Sequence, residues 1–143
     1  MGRDLFNSPY GRFYNLAYLL SNSGHTVHII LLSHQKNETE KTVIGKLQIT
    51  SISVIPNPFA ALLNINSIMQ ESQPDWIFGF SDTYYGILAV HFANQYHCKS
   101  LIDAYDNYES YLPFLKPLHW MWRSSLKRAT VVTCAGKSLK NLF

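Results

Sequence analysis

Apolar side chains recur at helical spacing between residues 13 and 20, and a nearly unbroken apolar run then extends from Val27 to Leu32. The first segment predicts a helix with one apolar stripe at positions i, i+3, i+4 and i+7, which are Phe13, Leu16, Ala17 and Leu20. The polar residues expected elsewhere around this helix are Asn15, Ser21 and Asn22. The run that follows is typical of a parallel strand covered by helices on both faces.

Capping residues bound the predicted helix. Ser8 with Pro9 predicts its start, because a hydroxyl can cap the first amides and the proline ring already holds a helical φ. Gly24 predicts its end, since glycine adopts the left-handed conformation that stops helices. Together the two segments form the helix-to-strand half of a βαβ unit.

The same alternation continues along the chain. Strands are predicted over 46–55, 76–80, 100–103 and 130–134, and helices over 59–73, from 81, over 113–128 and from 136. The polar segment 34–42 is expected to be an exposed loop. In the helix over 59–73, Leu62, Ile65 and Met69 have helical spacing. The fold class is therefore α/β, with a Rossmann-like, doubly wound and mostly parallel sheet.

The first strand of such a sheet is missing or rudimentary here, because only seven residues, MGRDLFN, precede the first capping residues. Since that strand is central in the doubly wound order, its absence leaves two strands without a ladder partner. A chain of 143 residues corresponds to one domain, so we expect a single Rossmann-like domain over 1–143, truncated relative to a complete protein.

Composition further restricts the class of protein and the ligands it could bind. No apolar run approaches the ~20 residues that cross a bilayer, and no signal peptide is recognisable at the N-terminus, which favours a cytoplasmic protein. Cys98 and Cys134 are expected to be buried reduced thiols, and the six histidines have no metal-binding spacing. We therefore predict neither metal nor cofactor. A net charge of +3 allows weak attraction to phosphate or anionic lipid but does not support nucleic-acid binding.

Four phrases of the sequence, in order, resemble the N-terminal domain of a family 4, retaining, GT-B glycosyltransferase. They are Tyr10-Gly11-Arg12, Gly24-His25-Thr26-Val27, Pro74-Asp75-Trp76-Ile77 and the segment 126–133 followed by Ser138-Leu139. The resemblance implies the acceptor-side half of an enzyme that transfers a sugar from a nucleotide-sugar donor to a sugar or lipid-linked acceptor. It also implies that a second, C-terminal domain with paired glutamates holds most of the donor. That domain is absent from these 143 residues, so we expect the isolated chain to be inactive.

The segment Tyr10-Gly11-Arg12 corresponds to the place where the family's glycine-rich loop meets its helix. A helix N-terminus carries free N–H groups and partial positive charge, so Gly11 and Arg12 could approach the donor diphosphate. The alternative is that Gly11 is an ordinary first-turn residue and Arg12 a solvated side chain.

Asp103, Tyr105 and Asp106 follow or end the predicted strand 100–103, and ligands of open α/β sheets bind at such strand ends. The two carboxylates could orient acceptor hydroxyls, or one could act as a catalytic base if burial raised its pKa. Alternatively, Asp103 caps the following turn and Asp106 is exposed. Ser81 and Asp82 stand at the previous strand end, where capping of their own helix is favoured over substrate binding.

The predicted helix 113–128 has two distinct faces. Phe114, Leu118, Trp122, Ser125 and Ala129 align toward the core, whereas Lys116, Trp120, Arg123 and Lys127 share the opposite face. A tryptophan among cations suits peripheral membrane contact with anionic lipid. Local cation–π packing or contact with the second domain are alternatives.

For the whole chain, the alternative to an enzyme domain is a non-catalytic Rossmann-like binding or interaction module.

Overall fold

The computed structural model describes residues 6, 10–34, 39–81, 83–111 and 113–141. Its elements, in chain order, are α1 (Arg12–Asn22), β1 (Val27–Ser33), β2 (Glu40–Ile44), β3 (Leu47–Ser53), α2 (Pro58–Ser72), β4 (Trp76–Ser81), α3 (Thr83–Gln95), β5 (Lys99–Ala104), α4 (Tyr108–Tyr111), α5 (Lys116–Arg128), β6 (Val131–Cys134) and α6 (Lys137–Lys140). This is the predicted α/β alternation with mostly parallel pairing. The chain divides into two compact units, Met1–Ile68 (unit 1) and Met69–Phe143 (unit 2).

Unit 1 contains a mixed three-stranded sheet in the order β1-β3-β2. β1 runs parallel to β3, with Val27 opposite Leu47, and β2 runs antiparallel to β3, with Ile44 opposite Leu47. The two-residue connection between β2 and β3 begins with Gly45 at φ +62°, as a tight hairpin turn with glycine first requires. The prediction of a loop over 34–42 is therefore wrong for residues 40–42, which belong to β2.

The core of unit 1 forms between α1 and this sheet, around Ala17, Leu47 and Ile49. Ser21 is also buried, so its placement away from the apolar stripe is wrong. Gly24, at φ +99°, ends α1 as predicted, and the His25 N–H donates to the Leu20 carbonyl at 3.1 Å across the helix end. The N-cap, however, is Gly11 instead of Ser8, which lies with Pro9 outside the described residues.

α2 begins one residue before its predicted start at residue 59. Asn57 Oδ1 accepts hydrogen bonds from the N–H groups of Phe59 at 3.0 Å and Ala60 at 3.3 Å, so it caps the helix. Of the three apolar residues that have helical spacing in this segment, Ile65 and Met69 are buried and Leu62 is partly exposed. Ala61, the residue before Leu62, is buried.

Unit 2 contains a fully parallel sheet in the order β4-β5-β6. Its core cluster contains the buried residues Val90, Ile102, Ala104, Trp122, Leu126 and Leu139. Four small residues of α3 are all buried: Gly86, Ala89, Val90 and Ala93. α3 thus packs closely on the sheet of its own unit.

In each sheet, one strand at the edge has a single ladder partner among the described residues. Within the part of the chain that the structure describes, no strand precedes α1, and β1 has a ladder partner only in β3. In the same described part, β4 pairs only with β5. Among the described residues, β1 and β4 therefore each have one edge whose main-chain groups do not join the hydrogen-bonded ladder of their own sheet.

The two faces of α5 correspond to the prediction for its tryptophans. Trp122 is 1% exposed and lies in the core with Ser125 and Leu126, whereas Trp120 is 72% exposed. The helix begins at Lys116, not Pro113, because Pro117 stands at its first turn. Phe114 therefore precedes the helix and is 92% exposed, so its assignment to the core face is wrong.

Candidate functional site

The carboxyl ends of the parallel strands in unit 2 lie side by side. Ser81 at the end of β4 is opposite Ala104 at the end of β5, which in turn is opposite Cys134 at the end of β6. The Ala135 N–H donates to the Ala104 carbonyl at 3.1 Å and extends the pairing by one residue. This edge is the usual ligand-binding edge of an open parallel sheet.

Asp103 lies at this edge but is only 4% exposed. Its register partner on β6 is Thr133, and the Thr133 hydroxyl donates a hydrogen bond to Asp103 Oδ1. The carboxylate therefore links the ends of β5 and β6 instead of facing solvent. This contact with β6 is not among the roles predicted for Asp103 from the sequence. The sequence pattern did not identify Thr133 as its partner, since only the parallel register places the two together.

Tyr105 and Asp106 begin the loop that leaves β5. Tyr105 is 59% exposed, and Asp106 is half-buried. The loop closes at Asn107, whose carbonyl accepts hydrogen bonds from the N–H and hydroxyl of Ser110 at 3.1 and 2.7 Å. The structure thus brings Asp103, Tyr105 and Asp106 to the same edge as Ser81, while Asp82 lies outside the described residues.

The predicted donor-contacting residues lie in unit 1. Gly11 has φ +93° and ψ 176° and is the N-cap of α1, with its carbonyl accepting the Asn15 N–H at 3.0 Å. Because glycine has no side chain, Gly11 does not accept a hydrogen bond from the first-turn N–H groups of α1 as a capping side chain would. Arg12 is exposed in the first turn, and Tyr10 is partly exposed beside it.

A family model described as Glycosyltransferase Family 4 matches residues 12–143, which extend from the first residue of α1 to the last residue of the chain. The chain belongs to glycosyltransferase family 4. The match and the mostly parallel α/β organisation identify it as the N-terminal, Rossmann-like domain of such a GT-B protein. Comparison with curated proteins gave no match, and comparison with solved structures gave none either.

A second polar feature of this family 4 domain lies in unit 2, between α4 and α5. Arg123 donates from Nε and Nη2 to the two carboxylate oxygens of Glu109, both at 2.6 Å, in a bidentate ion pair. These hydrogen bonds lower the pKa of Glu109, and the nearby charges of His119 and Lys116 lower it further. The pair borders an open cavity of about 260 Å³ lined by Glu109, Lys116, His119, Trp120 and Arg123.

The Glu109–Arg123 pair changes the predicted character of the outer face of α5. The sequence pattern grouped Arg123 with Lys116 and Lys127 as cations beside Trp120, whereas the structure balances the charge of Arg123 with Glu109. The two residues are 14 positions apart and lie on different helices, so helical periodicity could not connect them. Within the described segments, no helix of the family 4 domain is long and apolar enough to cross a membrane.

Proposed function

We propose that this family 4 domain is the acceptor-side half of a retaining GT-B enzyme, which transfers a sugar from a nucleotide-sugar donor to a sugar or lipid-linked acceptor. The family match over residues 12–143 is the observation that carries the proposal. The polar residues at the carboxyl edge of the unit 2 sheet support it, because this edge is where open α/β sheets bind ligands. We place the reaction in the cytoplasm.

We assign acceptor binding to the loop that follows β5. Tyr105 offers an exposed aromatic face and a hydroxyl, and Asp106 is a more accessible carboxylate than the buried Asp103. We therefore assign acceptor hydroxyls to Asp106 and Tyr105, with Asp106 as the candidate base. Asp103 is a positioning residue, because it holds the end of β5 against Thr133. Ser81 and Asp82 would contribute to acceptor binding from the neighbouring strand end.

We assign this domain's contacts with the nucleotide-sugar donor to the N-terminus of α1. Gly11 brings a main chain without a side chain to the helix start, and Arg12 adds a planar cation that suits a diphosphate. Tyr10 lies beside them. Most donor contacts are assigned to a second domain with paired glutamates. Because transition-state stabilisation would require both halves, the 143-residue chain alone should not transfer sugar.

The first test is a transfer assay. The chain alone is incubated with a panel of nucleotide sugars and candidate acceptors, and then the same panel is offered to the chain joined to a family 4 donor-binding domain. We expect turnover only in the second case. Turnover by the chain alone would contradict the two-domain requirement, and binding of unrelated ligands without any transfer in either case would favour a non-catalytic module.

Arg12→Ala tests the donor site in the two-domain protein. Loss of a hydrogen bond to a charged group costs about 1.5–3 kcal/mol, so the donor dissociation constant should rise roughly tenfold to a hundredfold. Isothermal calorimetry with the nucleotide diphosphate measures this change. Arg128→Ala is the matched control, since Arg128 is also an exposed arginine but stands at the end of α5. Equal donor affinity in the parent and Arg12→Ala would remove Arg12 from the site.

A further inference from the structure

The candidate acceptor residues Tyr105 and Asp106 lie in a short connection, 105–107, between the end of β5 and the start of α4. The β5 end of this connection is fixed within the sheet, because the Ala135 N–H donates to the Ala104 carbonyl at 3.1 Å. The other end is fixed only as firmly as α4 itself. The positions of the two side chains therefore depend on how α4 is held.

α4 is a single helical turn, Tyr108–Tyr111, and so short a helix is not stable in water without tertiary contacts. The hydrogen bonds from Ser110 to the Asn107 carbonyl are local, so they shape the turn without attaching it to another element. Glu109 reaches α5, where Arg123 donates two hydrogen bonds of 2.6 Å to its carboxylate oxygens. This ion pair joins α4 to a longer helix.

The α5 end of the ion pair is firmly held. Arg123 directly follows Trp122, which is 1% exposed and lies in the core cluster of unit 2. The two parallel N–H···O bonds fix the orientation of the Glu109 carboxylate as well as its distance, which a lysine ammonium group would not do. Because the Arg123 side chain is 64% exposed, the pair contributes little to the stability of the whole unit, and its effect is on the local order of α4.

We propose that Arg123 is a positioning residue for the acceptor loop. Through Glu109 it holds α4, and α4 in turn keeps the connection 105–107, with Tyr105 and Asp106, at the carboxyl edge of the unit 2 sheet. Arg123 acts through Glu109 and is assigned no contact with the acceptor. The effect on acceptor binding rests on the proposed function, whereas the effect on the order of the connection does not.

The first test measures amide hydrogen exchange in the intact chain by nuclear magnetic resonance. In Arg123→Ala, the Ser110 amide should exchange roughly twofold to fivefold faster, because loss of an exposed ion pair favours local opening by about that factor. The amides within β5 should keep their exchange rates, and the midpoint of urea unfolding should not change. Arg128→Ala is the matched control, since it removes the same charge from the exposed end of α5.

A double-mutant cycle tests whether Arg123 acts through Glu109. Glu109→Gln removes the negative charge from the pair, so it should speed Ser110 exchange about as much as Arg123→Ala does. The double variant should exchange no faster than either single variant, because each substitution alone already breaks the same contact.

The second test measures sugar-transfer kinetics in the two-domain protein. Arg123→Ala should raise the KM for the acceptor by up to about fivefold, since a smaller fraction of molecules has the loop in its binding-competent position. The KM for the donor should not change, because the donor contacts of this domain are assigned to α1. Arg123→Lys keeps the charge but not the bidentate geometry, so it should restore only part of the loss.

Four results would overturn the proposal. These are unchanged Ser110 exchange in Arg123→Ala, an equal gain in Arg128→Ala or throughout unit 2, additive effects in the double variant, and an unchanged acceptor KM in an active two-domain protein. Absence of transfer by the parental two-domain protein would instead refute the proposed function and would leave the exchange results unaffected.

Discussion

Burial and bonding restrict what the carboxylate of Asp103 can do. It is among the buried polar residues of the chain, and one of its oxygens accepts the hydrogen bond from Thr133. A general base must reach the proton it removes, and a buried carboxylate that links two strands is poorly placed for that. Asp106, two residues after the strand end and half-buried, is more accessible. The distinction between the two aspartates follows from the register of β5 and β6.

A titratable group lies within the sheet of unit 1. His28 on β1 lies with Nε2 2.7 Å from the Thr50 hydroxyl of β3. Burial lowers the pKa of His28 from its usual 6.5, and the positive charge of Lys41 on β2 lowers it further. The native state therefore favours the neutral imidazole, whose unprotonated nitrogen can accept a hydrogen bond from the Thr50 hydroxyl.

This lowered pKa predicts a pH dependence of stability. As pH falls through about 6.5, the unfolded chain takes up a proton at His28 more readily than the native chain, so the free energy of unfolding decreases. The contribution is fully present above pH 6.5, and its slope for one proton cannot exceed about 1.4 kcal/mol per pH unit. Urea unfolding at several pH values measures it.

His28→Gln is the variant that tests the assignment, because glutamine can still bond to Thr50 but does not titrate. The slope of stability against pH should decrease in this variant. His25→Gln, at an exposed position, is the control and should keep the parental slope. Identical slopes in all three proteins would show that His28 does not cause the pH dependence.

At the scale of elements, two glycines allow α3 to approach its neighbours closely. A Cβ at Gly79 of β4 would lie 2.6 Å from the Tyr85 carbonyl oxygen, in α3. A Cβ at Gly86 of α3 would lie 2.6 Å from Trp122 Cζ3 and 3.2 Å from Ile102 Cγ2. The absence of both side chains lets α3 contact the sheet on one side and the indole of α5 on the other.

We predict that Gly86→Ala lowers the free energy of unfolding by about 1–3 kcal/mol, because overpacking against a buried indole outweighs the better helix propensity of alanine. Gly79→Ala should cost more, since the clashing atoms belong to the main chain, which cannot rotate away. Urea denaturation ranks the variants.

Gly136→Ala is the matched control for both substitutions. No atom lies within 4 Å of a Cβ at that position, and φ is −169°, an extended value that alanine also adopts. Its stability should stay within about 0.5 kcal/mol of the parent. A loss in Gly136→Ala equal to that in Gly86→Ala would contradict the packing explanation.

Elements with a strong periodic pattern could be predicted from the sequence, and irregular ones could not. α1, α3 and the buried face of α5 lie where their apolar spacing predicts them, and β1 forms over its apolar run although all of its residues are only half-buried. β2 was missed because this strand is mostly exposed, with only Thr42 partly covered, and shows no alternation. Phe114 was misassigned because α5 begins three residues later than its apolar spacing suggests, and Pro117 near its N-terminus determines the start.

For the whole molecule, the family and the parallel α/β organisation could be predicted from the sequence, but side-chain partners across elements could not. Thr133 with Asp103 and Arg123 with Glu109 are separated by 30 and 14 positions. Both contacts depend on how elements pack, and local periodicity contains no information about that. The candidate residues are also divided between the two compact units, with Tyr10, Gly11 and Arg12 in unit 1 and the strand-end aspartates in unit 2.

The position of Trp122 has a consequence for spectroscopy. All three tryptophans, Trp76, Trp120 and Trp122, lie after residue 68, so unit 1 contains none. Since Trp122 is almost wholly buried, exposure to water on unfolding should shift indole emission to longer wavelength, and this signal reports unit 2 alone. Far-ultraviolet circular dichroism reports the backbone of both units. Trp122→Phe should remove most of the emission shift, and denaturation curves from the two signals coincide only if both halves of the chain unfold in one cooperative step.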